Sequence, residues 1–323
     1  MIFSDKKNNS SMQKIGNFDI IINKSLWDIN QELSMPDLSK KDFILSVING
    51  FEDGKWRKKE FHKFIFDNIA QTGLSAEDRN NLYSESPYTT LTESIKNLRL
   101  VDKDNGKGSE IAEIVLYGIM RYHYHALPVV PKIFYKQNPK DNAKGADSVH
   151  IVLDDKGDFS LWLGEAKFYN DIADERMYEP INSVFDTIST DKIKKENSII
   201  TSIKDLEYVI PDPDVRKNIQ TILRRDTSID DIRERLHVPI LLLHECKITN
   251  DATKLTDNYL NDIKDYHLNR AQKYFVSQNN KQKKENIYGY ENIQFHLILF
   301  PVPQKEDIVN CFVERAKQIK EDA

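Results

Sequence analysis

The chain of 323 residues carries 46 Lys and Arg against 51 Asp and Glu, a formal net charge of −5, with 39% hydrophobic and 30% charged residues. That length buries one large core or two modest ones, the balance is that of a globular protein, and the net charge alone neither supports nor excludes a phosphate-rich ligand. No apolar run is long enough to span a bilayer, MIFSDKKNNSSMQ lacks the apolar stretch of a secretory signal, and Cys246 and Cys311 read as free thiols with no zinc-type spacing around them, so a cytoplasmic protein is expected.

Residues 1–17 read as frayed, and FDIIINKSLW (18–27) alternates as a strand. Residues 39–71 carry helix-like patterns, with Phe61, Phe64, Ile65 and Ile69 on one helical stripe that fits a core face. Within that stretch KWRKK (55–59) mixes an aromatic with basic residues, which suits a nucleic-acid contact or, equally, a solvated helix face or partner surface. The polar DKDNGKGS (102–109) marks a boundary or mobile loop, dividing an N-terminal α/β subdomain (1–101) from the remainder (102–323). EIAEIVLYGIMRYHY (110–124) follows as a strongly apolar helix. Strands are then expected at 129–135, 147–153 and 159–168, and helices over about 181–235. VPILLL (238–243) and FHLILF (295–300) read as buried strands, and 305–321 as an amphipathic helix. This order predicts a mixed α/β sheet with a hairpin at its centre. No Gly-x-x-x-x-Gly-Lys-Ser/Thr loop is present, so any ATP-driven motor belongs to a partner.

The informative segment is GADSVHIVLDDKGDFSLWLGEAKFY (145–169). DDKGD is a turn signal. A turn centred on Lys156 sets Leu153 opposite Phe159, Ile151 opposite Leu161, Val149 opposite Leu163 and Asp147 opposite Glu165. Alternate residues of a strand share a face, so Asp147 and Glu165, with Lys167 two residues on, stand at the charged end of an otherwise aliphatic stripe. A slip of one residue would move them all to the other face. Charges on a core-facing stripe are costly unless paired or bound to metal. Two facing carboxylates with an ammonium beside them suit Mg²⁺ or Mn²⁺ and hydrolysis of a phosphodiester, with the lysine positioning water or stabilising charge on a phosphate oxygen. Against this stands the plainer reading of a cross-strand Glu–Lys surface pair. HECK (244–247) repeats the ExK spacing with Glu245 and Lys247 but has no Asp on a facing strand, and it reads as strand-end charge. His123 and His125 suit a phosphate contact beside such a site or, more plainly, interface or partly buried histidines near the helix end, and His150 falls on the hairpin face opposite Asp147.

A helix followed by a hairpin carrying D and ExK, then helices and strands, resembles the PD-(D/E)xK restriction-endonuclease-like superfamily. The resemblance implies a mixed sheet flanked by helices, Asp147 and Glu165 as metal ligands with the Ala166 carbonyl, Lys167 as the catalytic lysine, and a further acid on the upstream helix. Glu110 and Glu113 are the two choices for that acid. GSEIAEIVLY is similar to the superfamily's Gly-x-x-x-x-Glu helix start, which favours Glu113, while Glu110 also reads as N-terminal charge complementing the helix dipole. Ala146 stands where a proline is usual. With SEIAEIVLYGIM and HVPILLLHECK the segment most closely resembles the HamA family of Hachiman anti-phage defence, most specifically over about residues 106–170 and more weakly at 238–243. That likeness implies a DNA nuclease effector held to a HamB-type helicase subunit and restrained until infection or DNA damage. Two alternatives remain open at this point, a non-cleaving subunit that anchors DNA or a helicase, and a nuclease acting on RNA.

Overall fold

The computed structural model describes residues 12–33, 40–82, 86–99, 109–136 and 145–321. Its strands are β1 (Lys14–Ile15), β2 (Phe18–Ser25), β3 (Asp42–Ile48), β4 (Phe51–Glu52), β5 (Lys55–Trp56), β6 (Leu127–Val130), β7 (Ser148–Leu153), β8 (Phe159–Tyr169), β9 (Leu236–Glu245) and β10 (Gln294–Val302). Eight of them form one sheet in the order β1-β2-β3-β10-β9-β8-β7-β6. The four central strands, β3, β10, β9 and β8, pair in parallel, and antiparallel strands flank them on both sides. β9 and β10 are near-continuous apolar runs because both of their faces are covered, as parallel strands require. β4 and β5 make a separate ribbon turned at Asp53 and Gly54, both with positive φ.

Helices clothe each face. On one side lie α1 (Lys58–Asn68), α2 (Ser109–His123) and, near the C-terminus, α7 (Lys305–Glu321). Their Ile65, Val115 and Phe312 pack with Trp162, Leu241 and Phe300 of the sheet. A short helix, α3 (Lys132–Lys136), follows β6. The opposite face is covered by α4 (Tyr178–Thr187), α5 (Thr190–Ser202) and the long α6 (Asp257–Glu285). There Val184, Ile193 and Phe275 meet Leu163, Ile240 and Leu297. The alternation of β8, with Leu161 and Leu163 in one core and Trp162 and Ala166 in the other, follows from the period of two. The mixed α/β sheet flanked by helices expected from the sequence is therefore what the chain forms, although the hairpin expected at its centre, β7–β8, lies toward one edge with only β6 beyond it, and β1–β3 of the N-terminal hundred residues belong to the same sheet through the β3–β10 pairing. Among the described residues no helix is long and apolar enough to cross a membrane.

Several element boundaries are also corrected. Residues 42–48, included in the helix-like stretch 39–71, are β3; DFILSVI is a seven-residue apolar run that fits a buried strand as well as a helix, and its position between β2 and β10 decides the matter. The strand expected at 18–27 stops at Ser25, whose Oγ accepts from the Trp27 N–H at 3.2 Å and starts the helix Leu26–Leu33. The strand expected at 129–135 ends at Val130. Pro131 has no N–H to continue the ladder and opens α3 instead. The Tyr117 hydroxyl fixes this corner, donating to the Val130 carbonyl at 2.6 Å and accepting from the Lys132 N–H at 3.3 Å. Residues 1–11, and all of DKDNGKGS except Ser109, lie outside the described residues, while within the stretch 1–17 expected to be frayed Lys14–Ile15 form β1, paired with β2, and Ile15 is fully buried.

Candidate active site

The hairpin is closed by its own turn chemistry. Asp154 Oδ1 accepts from the N–H groups of Lys156 (2.9 Å) and Asp158 (2.8 Å), and Gly157 supplies a positive φ of 78°. The ladder pairs Leu153 with Phe159, Ile151 with Leu161 and Val149 with Leu163, the register read from the sequence, and ends at Ser148–Gly164. Asp147, one residue beyond, donates its N–H to the Gly164 carbonyl at 2.8 Å.

From there a chain of alternating charges runs across the mouth of the hairpin. Asp147 Oδ2 accepts from the Ala166 N–H at 3.1 Å. Lys167 Nζ lies 3.6 Å from Asp147 Oδ2 and 3.5 Å from Glu165 Oε2, so one ammonium serves both carboxylates. Thr187, the last residue of α4, donates its hydroxyl to Glu165 Oε1 at 2.5 Å. On the other side of Asp147, Lys136 Nζ is 3.5 Å from Oδ1 and reaches both oxygens of Glu113, at 3.0 and 2.9 Å. The order is thus Glu113, Lys136, Asp147, Lys167, Glu165. Glu110, one helical turn earlier, accepts from the Arg99 N–H at 3.1 Å and acts on the cluster by repelling the charge of Glu113.

Glu113 and Glu165 are only 5% and 4% exposed. Burial, reinforced by the charge of Asp147 and opposed by the adjacent lysine, pushes each carboxyl up to about 7. For Lys136 and Lys167 burial works against the charge, but the neighbouring carboxylates outweigh it and hold both ammoniums above the usual lysine value. Among the described residues no three His, Cys, Asp or Glu side chains converge on a metal position; the two ammoniums lie between the carboxylates instead.

Two glycines allow this arrangement. A Cβ on Gly164 would stand 2.2 Å from Ser148 Oγ, so the residue before Glu165 has no room for a side chain. A Cβ on Gly145 would stand 2.0 Å from Glu196 Oε1, the atom that accepts the Ala146 N–H at 3.1 Å. Glu196 is itself fixed by Lys132 Nζ, 2.7 Å from each carboxylate oxygen. The segment entering Asp147 therefore rests on a fully buried ion pair.

Lys136, Thr187 and the Lys132–Glu196 pair were not singled out by sequence. Pro131 followed by lysines four residues apart, Lys132 and Lys136, is the signal that would have pointed to α3 in place of the strand expected at 129–135. His150 packs on Tyr117 with ring centroids 4.5 Å apart, on the face away from Asp147. Glu245 Oε2 accepts from the Lys305 N–H at 3.0 Å, capping α7, and Lys247 pairs with Asp251 at 2.5 Å, so HECK is strand-end charge. In the KWRKK segment Lys58 pairs with Asp307 at 2.8 Å and Arg57 with Glu60 at 3.9 Å. His123 ends α2 beside Tyr124, and His125 takes a positive φ of 52° in the turn that follows.

No curated protein matches the chain. The family model described as HamA matches residues 23–316, which span every strand of the sheet but β1 and part of β2. Because that match covers most of its length, the chain belongs to the HamA family, and this membership supports a role in Hachiman defence.

Proposed function

We propose that the chain is a metal-dependent DNA nuclease effector of the PD-(D/E)xK type, working in Hachiman defence with a HamB-type helicase subunit. The observation that carries the reading is the sharing of Lys167 between Asp147 and Glu165 at the open end of the hairpin. The donor set fits a hard cation: the carboxylates of Asp147, Glu165 and Glu113 offer oxygen alone, and among the described residues no thiol or imidazole enters the cluster. Asp147 and Glu165, with the Ala166 carbonyl, would hold Mg²⁺ or Mn²⁺. When bound, such an ion supplies Lewis acidity at the phosphate and lowers the pKa of a coordinated water. Lys167, within reach of both ligands, orients the attacking water and stabilises charge growing on the phosphate oxygen. Glu113 completes the acidic cluster through Lys136.

The test is cleavage of supercoiled plasmid DNA with Mg²⁺ or Mn²⁺, with and without the helicase subunit, comparing wild type with Asp147→Ala, Glu165→Ala and Lys167→Ala. Each variant is expected to keep its fold and lose about 100-fold or more of the rate. Full cleavage by a folded Glu165→Ala or Lys167→Ala protein would remove the assignment. One observation favours a second reading, in which the chain anchors DNA or the helicase without cutting: the carboxylates are already matched by ammoniums. Calorimetric titration with Mn²⁺ separates the two, since an anchor shows no binding that depends on Asp147 and Glu165.

A further inference from the structure

We propose that Lys136 is a built-in counter-ion, occupying the cation position between Glu113 and Asp147, so that a divalent ion entering the site must displace its ammonium. This rests on the metal-dependent reading above and adds a gate to it. The two lysines of the cluster are placed differently. Lys167 stands at 3.5 and 3.6 Å from its carboxylates, longer than the 2.9 and 3.0 Å contacts that Lys136 makes to Glu113. Lys136 is committed: both of the hydrogen bonds that Glu113 accepts among the described residues come from its Nζ, at 2.9 and 3.0 Å, and the same atom sits 3.5 Å from Asp147 Oδ1. It therefore touches oxygens of two of the three acids that a hard cation would use.

The helix that carries it is held from its other end. Lys132, one turn earlier on the same face of α3, is locked to Glu196 with both side chains at most 1% exposed. The guanidinium of Arg99 donates to the Lys136 carbonyl, fixing the backbone at the point where the lysine departs. With α3 anchored by these contacts, the part free to move is the methylene stem of Lys136, whose side chain remains 22% exposed. A lysine of that kind can swing its ammonium toward water without disturbing the helix. Removing the ammonium with nothing in its place would leave Glu113 buried against the charge of Asp147, which is costly. The exchange is thus a swap of one cation for another. It holds the apo cluster together while denying metal a preformed site.

The experiment is Mn²⁺ titration calorimetry and thermal unfolding of the full chain as wild type, Lys136→Gln, Lys136→Arg and Asp147→Asn. Lys136→Gln is expected to unfold at a lower temperature without metal, to bind Mn²⁺ about tenfold more tightly or better because no like charge competes at close range, and to recover its lost stability when Mn²⁺ is added. Lys136→Arg, which keeps the charge and forks onto Glu113, is expected to fold normally and bind Mn²⁺ more weakly than wild type. Unchanged or weaker Mn²⁺ binding by Lys136→Gln, or equal affinities for Lys136→Arg and wild type, overturns the counter-ion role while Asp147-dependent binding in wild type leaves the metal site standing. Absence of any Mn²⁺ binding that Asp147→Asn abolishes overturns both.

Discussion

Replacing Glu196 by alanine tests whether the segment that delivers Asp147 depends on a buried charge pair. In the native chain Lys132 Nζ lies 2.7 Å from each Glu196 oxygen, and the side chains are 0% and 1% exposed. Burial alone drives the Lys132 ammonium toward its neutral form, and Glu196 is the main influence holding the charge in place. The substitution strands that ammonium and also removes the acceptor of the Ala146 N–H. Breaking a buried pair from one side costs about 3–5 kcal/mol. With unfolding entropy near 2.1 cal/mol/K per residue over 323 residues, each kcal/mol lowers Tm by about 1.5 °C, so a fall of roughly 4–7 °C is expected. Thermal unfolding followed by circular dichroism at pH 7.5 reads it. The double replacement Lys132→Met with Glu196→Met removes both charges and is expected to recover most of the loss. A Glu196→Ala protein within about 1 °C of wild type, or a double variant whose loss equals the sum of the two single losses, would refute the reasoning.

Gly164→Ala is expected to cost about 1–3 kcal/mol, because the new methyl meets Ser148 Oγ at 2.2 Å and Leu116 and Pro239 at 3.0 Å. Ser148→Ala in the same chain should return part of it, and a urea midpoint unchanged in Gly164→Ala would contradict the packing. Burial lowers His62, His237 and His244 to about 4 and His150 to about 3. The unfolded chain then binds more protons than the folded one below about pH 6.5, so stability is full above that value and falls toward pH 4, by up to about 1.4 kcal/mol per unit for each histidine. Glu113 and Glu165, raised to about 7, act with the opposite sign, their contribution present at low pH and lost as pH rises through 7. Urea midpoints measured from pH 7.5 to 5 should therefore decline, and more steeply in Glu165→Gln; a midpoint that holds level or rises would count against the buried neutral histidines.

The hairpin was legible because two local signals agree. A turn with Asp154 and Gly157 at demanding positions fixes the register, and the period of two then dictates which residues share a face. This gave the aliphatic stripe and its charged end without any tertiary information. The errors arose where local pattern is degenerate. DFILSVI matches helix and strand alike, and its place between β2 and β10, the latter some 250 residues later, selects the strand. Reading VVPKIFY (129–135) as one strand overlooks the interruption at Pro131 and hides Lys136, whose approach to Glu113 requires a helix at 132–136. Thr187 and Glu196 reach the site by tertiary packing alone, and no spacing in the sequence announces them.

β10 is the second of the four central parallel strands, yet it is the last strand of the sheet to leave the ribosome. Until residues 294–302 emerge, β3 and β9 each present an open row of backbone donors and acceptors, and the sheet exists as two halves awaiting a wedge. The half containing β7, β8 and β9 already carries Asp147, Glu165 and Lys167. Its strands pair with one another, and Ile22 and Ile44 of the N-terminal strands add to the core that covers them. Contacts that span so much chain fold slowly, and the interval before closure is one in which either edge can pair with a second nascent copy. A chain truncated before Gln294 would keep the residues of the cluster but lose the strand that joins the two halves, and synthesis order thus makes completion of the C-terminal region a precondition for a stable fold around them.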